Sequence, residues 1–298
     1  MRWINGACAI RVEDVPVREW PPCREAAMTY ANVLVSLDPG EAASDRVKLA
    51  ANLARKFRSR LTGIAAREVP YPLLVTDVHD AEIRFEANAQ LVRAELGSMR
   101  ARFERHAGSG LRLAWHQAAW DPQTYMVRYA RSADLLVVSR RGENDPDPGA
   151  LGVAPGPLVL QVGRPVLVAP PGVTSAPGSR IVVAWKDTVE ARRAVSAALG
   201  FIGQADQVLV VSVRDGGFDE GTEEVAAHLG SHGARATAHL LSRTGERVAD
   251  AILDFARENE ADLIVSGAYG HARLAEWIFG GVTRNLLLSA PVCCLLSH

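Results

Sequence analysis

Glycines at a fixed spacing near the end of the chain carry its strongest chemical signal. A glycine lets a ligand approach the backbone closely, and a helix start presents free N–H groups at the positive end of the helix dipole. This group follows an apolar stretch and runs into a helical one, so it predicts an anion cradle suited to phosphate. Its spacing is G-x2-G-x9-G-G-V-T, made by Gly267, Gly270, Gly280, Gly281, Val282 and Thr283.

Other catalytic and metal signatures are weak. The sequence has no GxxxxGK[ST] and no GxSxG, which disfavours a P-loop ATPase and a nucleophile-elbow hydrolase. His228 and His232 stand four apart on a predicted helix and could share a metal, but no third ligand follows, so a surface or packing role is favoured. Since no general base is evident, a dedicated enzyme such as a nucleotidyl transferase is the least favoured class.

Short β-branched runs alternate with amphipathic helical segments along the chain, which predicts βαβ units around a parallel sheet. The predicted strands cover 33–37, 61–66, 111–118, 135–139 and 165–169, then 181–185, 207–213, 235–241, 263–266 and 292–296. The predicted helices cover 42–57, 81–106, 122–131 and 149–162, then 189–202, 220–233, 247–258 and 273–288.

The second half of the chain repeats the first. Residues 133–137 (ADLLV) match 261–265 (ADLIV), and at the same offset Gly142 falls on Gly270. This is duplication of a whole α/β unit. The predicted organisation is an N-terminal extension 1–27, a first domain 28–172, a linker 173–179 and a second domain 180–298. The extension is either sequence upstream of a natural start at Met28 or a mobile arm.

Composition excludes several classes of protein. Among 298 residues, 33 Lys and Arg balance 34 Asp and Glu, which argues against a nucleic-acid binder. No apolar run approaches the roughly 18 residues of a membrane span. The four cysteines show no CxxC spacing and are interpreted as buried thiols in a reducing compartment, which favours a cytoplasmic location. They are Cys8, Cys23, Cys293 and Cys294.

These motifs resemble those of the universal stress protein family in its tandem two-domain form, over about residues 28–298. The resemblance rests on three features. They are the glycine spacing, the first strand of each half with its acidic loop, and a proline that opens each terminal strand. It implies two repeated Rossmann-like (adenine nucleotide alpha hydrolase-like) domains, each a five-stranded, mostly parallel sheet flanked by helices. It further implies a cytoplasmic stress-response protein, and family members are often dimeric. Many members bind ATP or a related adenine nucleotide, with Mg²⁺ as an accompanying ion.

The resemblance transfers a nucleotide site to the second half, with departures. Lys186 stands at the usual acidic position, so Asp187 takes the adenine-side role if the loop shifts by one residue. Alternatively Asp187 is the N-cap of the following helix, with Thr188 as the competing cap. Gly281 replaces a hydroxyl residue of the family, and Thr283 supplies another. The transferred contacts, besides the glycine loop, are Ala184, Trp185, Asp187 and Val213.

The first half retains the acidic residue of the family but lacks the glycine loop. Asp38 occupies the acidic position, whereas Ser139 replaces the first glycine, and Pro155 falls where the phosphate-facing helix should begin. Arg140 and Arg141 could attract phosphate, although arginines after a strand are more often solvated. At most one working nucleotide site is therefore expected, in the second half, with Asp38 as a weak candidate in the first.

Two questions stay open from sequence. The apolar last strands of the two halves are predicted to pair as an intramolecular pseudo-dimer; the alternative is pairing with other chains, and a homodimer is also allowed. The function is either adenine-nucleotide binding, as a slow ATPase or ligand-gated switch, or that of a nucleotide-free scaffold acting through protein–protein contacts.

Overall fold

A computed structural model describes residues 30–214, 221–242, 247–270 and 281–298. The predicted extension 1–27 and Gly280 lie outside these ranges, as do Cys8 and Cys23. Within them, strands alternate with helices through both halves. None of the helices in the described ranges is long and apolar enough to cross a membrane.

The first half follows the predicted element order, and most boundaries shift by three residues or fewer. Its elements are β1 (Asn32–Ser36), α1 (Ala42–Phe57), β2 (Arg60–Ala66), α2 (Val78–Ala107), β3 (Arg112–Ala118), α3 (Pro122–Ala130), β4 (Leu135–Ser139), a 3-10 turn (Gly149–Leu151), α4 (Pro155–Val162) and β5 (Val166–Ala169). The single helix predicted over 149–162 is wrong. Helix α4 begins only at Pro155, because proline fits the first helical position but not a helix interior.

The second half repeats this order. Its elements are β6 (Arg180–Ala184), α5 (Val189–Ile202), β7 (Gln207–Arg214), α6 (Thr222–Ser231), β8 (Ala236–Ser242), α7 (Val248–Glu258), β9 (Leu263–Gly267), α8 (Gly281–Ser289) and β10 (Cys293–Ser297). The first eight residues of the helix predicted over 273–288 lie outside the described residues.

The ten strands of the described residues form one sheet in the order β3-β2-β1-β4-β5-β10-β9-β6-β7-β8. Neighbouring strands within each half are parallel, which confirms the predicted Rossmann-like α/β fold with five strands per unit. The two halves meet at β5 and β10, which pair antiparallel with Leu167 opposite Leu295. The sheet is therefore continuous through both units.

Helices cover both faces of the sheet, so the interior of most strands is buried on each side. On one face, three aromatic rings from both halves form a cluster. Phe57 at the end of α1 and Phe201 near the end of α5 meet edge to face at 4.9 Å, and Tyr30 lies 4.9 Å and 5.5 Å from them. This cluster packs the two units together beyond the strand pairing.

Candidate functional site

The second-half candidates gather at the carboxyl edge of the sheet. β6 pairs in parallel with both β7 and β9, and Ala184 lies in register with Val211 and Ser266. The ends of these three strands therefore lie side by side, bringing Ala184, Val213 and Gly267 to one edge. Open α/β sheets bind ligands at this edge, beyond the carboxyl ends of their strands.

Trp185 is held rigidly just beyond β6. Its backbone N–H donates to the Val211 carbonyl at 2.8 Å, and its carbonyl accepts from Ser212 Oγ at 3.1 Å. Ser212 Oγ in turn lies 2.7 Å from Thr222 Oγ1 at the start of α6. With all three side chains buried, the backbone around Trp185 has a fixed shape.

The structure decides between the two N-cap candidates for α5. Thr188 has extended backbone, and its Oγ1 accepts from the Ala191 N–H at 3.3 Å, so Thr188 is the cap. The Asp187 carboxylate is exposed and forms an ion pair with Arg192. The capping alternative for Asp187 is thus wrong, while its adenine-side role stays a prediction.

Gly267 lies directly against the start of α5. A Cβ there would stand 2.4 Å from the Ala191 nitrogen and 2.7 Å from the Glu190 carbonyl carbon, both backbone atoms. Glycine is therefore required for close packing at this position, whatever the loop binds. The same packing brings the positive end of the α5 dipole beside the glycine loop.

Gly270 meets side chains rather than backbone. A Cβ on Gly270 would lie 2.9 Å from Glu190 Oε2 and 3.2 Å from Thr188 Oγ1. The Glu190 carboxylate thus stands beside the loop that was predicted to hold phosphate. Sequence reasoning missed this residue, although an acidic residue in the first turn of a helix is a common stabilising feature.

Thr283 ties the loop to α8. It is buried, and its Oγ1 accepts from the Tyr269 N–H at 3.3 Å, while Tyr269 has a positive φ of 60°. Gly281 opens α8 and Val282 is half-buried beside it. The predicted hydroxyl at Thr283 is therefore present at the loop, where it fixes the backbone. Gly280 cannot be placed against it, since it lies outside the described residues.

In the first half, a buried arginine stands at the equivalent edge. The Arg46 guanidinium, from α1, donates to Asp38 Oδ2 at 2.6 Å, and Arg46 is only 2% exposed. It also donates to the Ser36 carbonyl at 2.9 Å and to Ser139 Oγ. Asp38 is thereby engaged within the protein, and Ser139, which replaces a glycine, is one of the partners.

Arg46 was not recognised as a site residue from sequence. The available signal was its place on the apolar face of α1, between the buried Ala43 and Ala50. In the second half, the residue ten positions after Ala184 is the buried Ala194, whereas Arg46 stands ten positions after Ser36. The carboxyl edge of the second half therefore lacks this guanidinium.

The loop after β4 is held by an ion pair rather than open to phosphate. Arg140 donates through Nε and Nη2 to the two Asp145 carboxylate oxygens at 2.9 Å and 2.6 Å, and its Nη1 donates to the Ala290 carbonyl at 2.7 Å. The expectation that Arg140 is solvated is wrong, because its side chain is only 18% exposed. This contact joins the first-half loop to the segment preceding β10.

Two histidines and two cysteines remain among the sequence candidates. The His228 and His232 rings lie edge to face at 4.8 Å, and the described residues contain no group of three or more His, Cys, Asp or Glu that could hold a metal. Cys293 and Cys294 are buried free thiols, and burial raises the pKa of Cys293 to about 12. Both remain protonated at neutral pH, as expected of packing cysteines.

The strand order and the glycine loop at a strand end define a doubly wound, Rossmann-like α/β protein. Within that class, residues 179–298 match the model of the universal stress protein family, so the second half is similar to the domain of that family. The two α/β units agree with the tandem form expected from sequence. A search of curated protein sequences finds no match.

Two solved structures share the fold over most of this chain at low sequence identity. A universal stress protein from Archaeoglobus fulgidus is similar over 90% of this chain and 98% of its own, with 16% identity and a TM-score of 0.66. A functionally unknown protein, PA1789, from Pseudomonas aeruginosa covers 90% and 92%, with 17% identity and a TM-score of 0.53. A universal stress protein solved in complex with cAMP is similar over 47% of this chain, with 22% identity and a TM-score of 0.33.

Proposed function

We propose that this is a cytoplasmic stress-response protein that binds ATP or a related adenine nucleotide in its second half. One observation carries the proposal. The Gly267–Gly270 loop, the start of α5 and the Thr283 hydroxyl converge at the carboxyl edge of a half that is similar to the universal stress protein domain. Backbone N–H groups and a helix dipole together suit an anionic group such as phosphate.

The residues present fit a phosphate group with one exception. No side chain projects from Gly270, where a Cβ would occupy space beside Thr188, whereas the space beside Gly267 is filled by the backbone of α5. The exception is the Glu190 carboxylate, whose negative charge opposes a bound phosphate at this distance. A nucleotide would therefore bind with Glu190 turned towards solvent, a movement that the half-exposed side chain allows.

Each residue group has a defined task in this proposal. The Ala268 and Tyr269 N–H groups are already bonded to the Ser297 carbonyl and to Thr283 Oγ1, so the N–H groups of Gly270 and of Gly281–Thr283 would hold phosphate oxygens. Ala184, Trp185 and Val213 would flank the base. Asp187 would hold the ribose or adenine polar atoms by giving up its ion pair with Arg192. Mg²⁺ would enter chiefly through phosphate oxygens. Bound nucleotide supplies a phosphoanhydride, and slow hydrolysis is the accompanying activity.

The first half is proposed to be an accessory unit. Its Asp38 is paired with Arg46, so we assign it no nucleotide. The β5–β10 pairing supports an intramolecular pseudo-dimer, in which the last strands of the halves cover each other. The domain boundaries at residues 172 and 180 stay part of this proposal.

Isothermal titration with ATP and Mg²⁺, and mass spectrometry of the purified protein under native conditions, test the assignment. We expect one nucleotide per chain and loss of binding in Gly270→Val, with the circular dichroism spectrum unchanged. The matched control is Gly230→Val in α6, where an added Cβ meets nothing within 4 Å. If wild type shows no affinity for ATP or for ADP, the alternative of a nucleotide-free scaffold replaces this proposal.

A further inference from the structure

The longest helix, α2, presents an apolar row to solvent. Its 30 residues bury Ala89, Val92, Leu96, Met99, Phe103 and Ala107 against the rest of the molecule. At 3.6 residues per turn, the opposite face carries a second apolar set, here called the outer row. The outer row consists of Ile83, Ala87, Leu91, Ala94 and Ala101, all exposed.

Two large side chains stand out in the outer row. Ile83 is 57% exposed and Leu91 is 69% exposed, at the face where a surface helix normally carries charge. Ile83 and Leu91 lie in the first half of the helix, whereas Ala94 and Ala101 lie in the second. The outer row is therefore large at one end and small at the other, so an antiparallel copy would set large residues against small ones.

The charges of α2 are divided in the same way. Residues 78–92 contain three acidic residues and one basic residue. Residues 93–107 contain four basic residues and two acidic ones. One half of the helix is thus net negative and the other net positive. Two copies of α2 packed antiparallel place each negative half beside a positive half, whereas parallel packing would place like charges together.

We propose that the outer row of α2 is the dimer interface, occupied by α2 of a second copy of this chain running antiparallel. A two-fold axis near residues 92 and 93 places Leu91 against Ala94 of the partner subunit. The same axis brings Glu86 beside the partner subunit's Arg100. Both charged side chains are 59% exposed in the single chain, where Glu86 pairs with Arg93 and Arg100 with Glu104. Exposed pairs of this kind are weak, so they can be exchanged for the contact across the interface.

The interface differs from the pairing of the two halves. Strands β5 and β10 already pair within the chain, so their edges are not available to a second copy. The outer row lies on a helix of the first half, away from the second-half glycine loop. The inference therefore stands or fails independently of nucleotide binding.

Sedimentation velocity of the full-length protein tests the proposal, with twice the mass of one chain expected for wild type at micromolar concentration. Leu91→Glu should raise the dimer Kd by about a hundredfold, since the two-fold symmetry places the change in the interface twice. The matched control is Leu74→Glu, which adds the same charge at a leucine that is 85% exposed outside the outer row and should leave the dimer intact.

A charge exchange tests the antiparallel orientation. Glu86→Arg and Arg100→Glu should each weaken the dimer, and the double variant should bind more tightly than either single variant, since it restores opposite charges across the interface although not the exposed pairs with Arg93 and Glu104. A wild-type monomer at all concentrations would overturn the proposal, as would a dimer unaffected by Leu91→Glu. A monomer that dimerises only after deletion of residues 1–27 would show that this segment covers the outer row instead.

Discussion

Arg46 and Asp38 form a buried ion pair at the carboxyl end of β1, with 2.6 Å between Nη2 and Oδ2 and side-chain exposures of 1% and 7%. The pair stands in the half of the chain that lost its glycine loop. The guanidinium makes three contacts there, with a carboxylate, a carbonyl and a hydroxyl. A protein side chain thus satisfies the acidic residue that the family resemblance assigns to nucleotide binding.

Removing Arg46 should be costly for folding. Arg46→Met leaves the buried Asp38 carboxylate with the Gly40 N–H but without its guanidinium partner, and we expect a loss of about 3–5 kcal/mol in the free energy of unfolding by urea. The double variant Arg46→Met/Asp38→Asn should recover much of it. Arg84→Met, which breaks an exposed pair with Asp80, serves as control and should leave the free energy of unfolding nearly unchanged. Equal losses of stability in Arg46→Met and Arg84→Met would contradict the stabilising role of the buried pair.

Gly267 is predicted to be a packing glycine. Gly267→Ala places a Cβ 2.4 Å from a backbone nitrogen of α5, so the helix must shift, at a cost of about 2–3 kcal/mol measured by thermal or urea unfolding. Gly270→Ala meets only side-chain atoms and should cost clearly less. A Gly267→Ala variant as stable as Gly270→Ala would show that α5 does not pack as described.

Glu190 is predicted to oppose nucleotide binding. Since its carboxylate lies beside the glycine loop, Glu190→Gln removes a negative charge near the bound phosphates and should tighten ATP binding by about fivefold at low salt. The gain should shrink as salt rises. Glu223→Gln, at the exposed first turn of α6, is the control and should leave affinity unchanged. Weaker binding by Glu190→Gln would instead make Glu190 a ligand contact.

Phe201 should stabilise both halves of the molecule. Phe201→Ala removes one of the three mutually contacting rings of the Tyr30, Phe57 and Phe201 cluster and should lower the free energy of unfolding by about 3–5 kcal/mol. Hydrogen exchange should then accelerate in α1 as well as in α5. Phe85→Ala, which removes a ring paired with the exposed Tyr71, is the control. Acceleration confined to α5 would mean that the cluster does not couple the halves.

The Arg140–Asp145 pair predicts a pH dependence. The Arg140 hydrogen bonds hold the pKa of Asp145 below its ordinary value of 3.8, so the folded state binds this proton less tightly than the unfolded state. The pair therefore stabilises the fold above about pH 4, and its contribution is lost as pH falls through the folded pKa. Asp145→Asn should be less stable than wild type at pH 7, with the difference shrinking towards pH 3.

The control for this pH dependence is Asp254→Asn on α7. Its partner Arg257 is 72% exposed, so its stability should match wild type at each pH. Urea unfolding at several pH values measures both variants. A deficit for Asp145→Asn that stays constant from pH 7 to pH 3 would mean that the carboxylate charge contributes nothing.

The fold was predictable because its signals are local. Hydrophobic periodicity placed β4, α1 and α5 with the observed bounds, and the repeated ADLLV-like strands revealed the duplication. Thr188 could be named as a cap candidate for the same reason. The conformational restriction of proline also explains the helix whose start was predicted wrongly, since α4 starts at Pro155 rather than at Gly149.

The site was less predictable because its determinants are tertiary. Arg46 donates a hydrogen bond to Ser139, which lies 93 residues away in the sequence. No local sequence pattern predicts that contact. Glu190 is similarly an ordinary acidic residue in the first turn of a helix as far as the sequence shows. Only the packing of β9 against α5 places it beside the glycine loop. A glycine motif alone does not show whether the glycines make room for a ligand or for another backbone, and Gly267 makes room for α5.

The antiparallel meeting of β5 and β10 gives the sheet two opposite directions. Every strand of the first half points its carboxyl end towards one rim, and every strand of the second half points towards the other. The Asp38–Arg46 pair and the glycine loop therefore lie near opposite rims. A large partner bound over one rim leaves the other rim accessible to small molecules. One chain can therefore hold a partner and a small ligand at the same time.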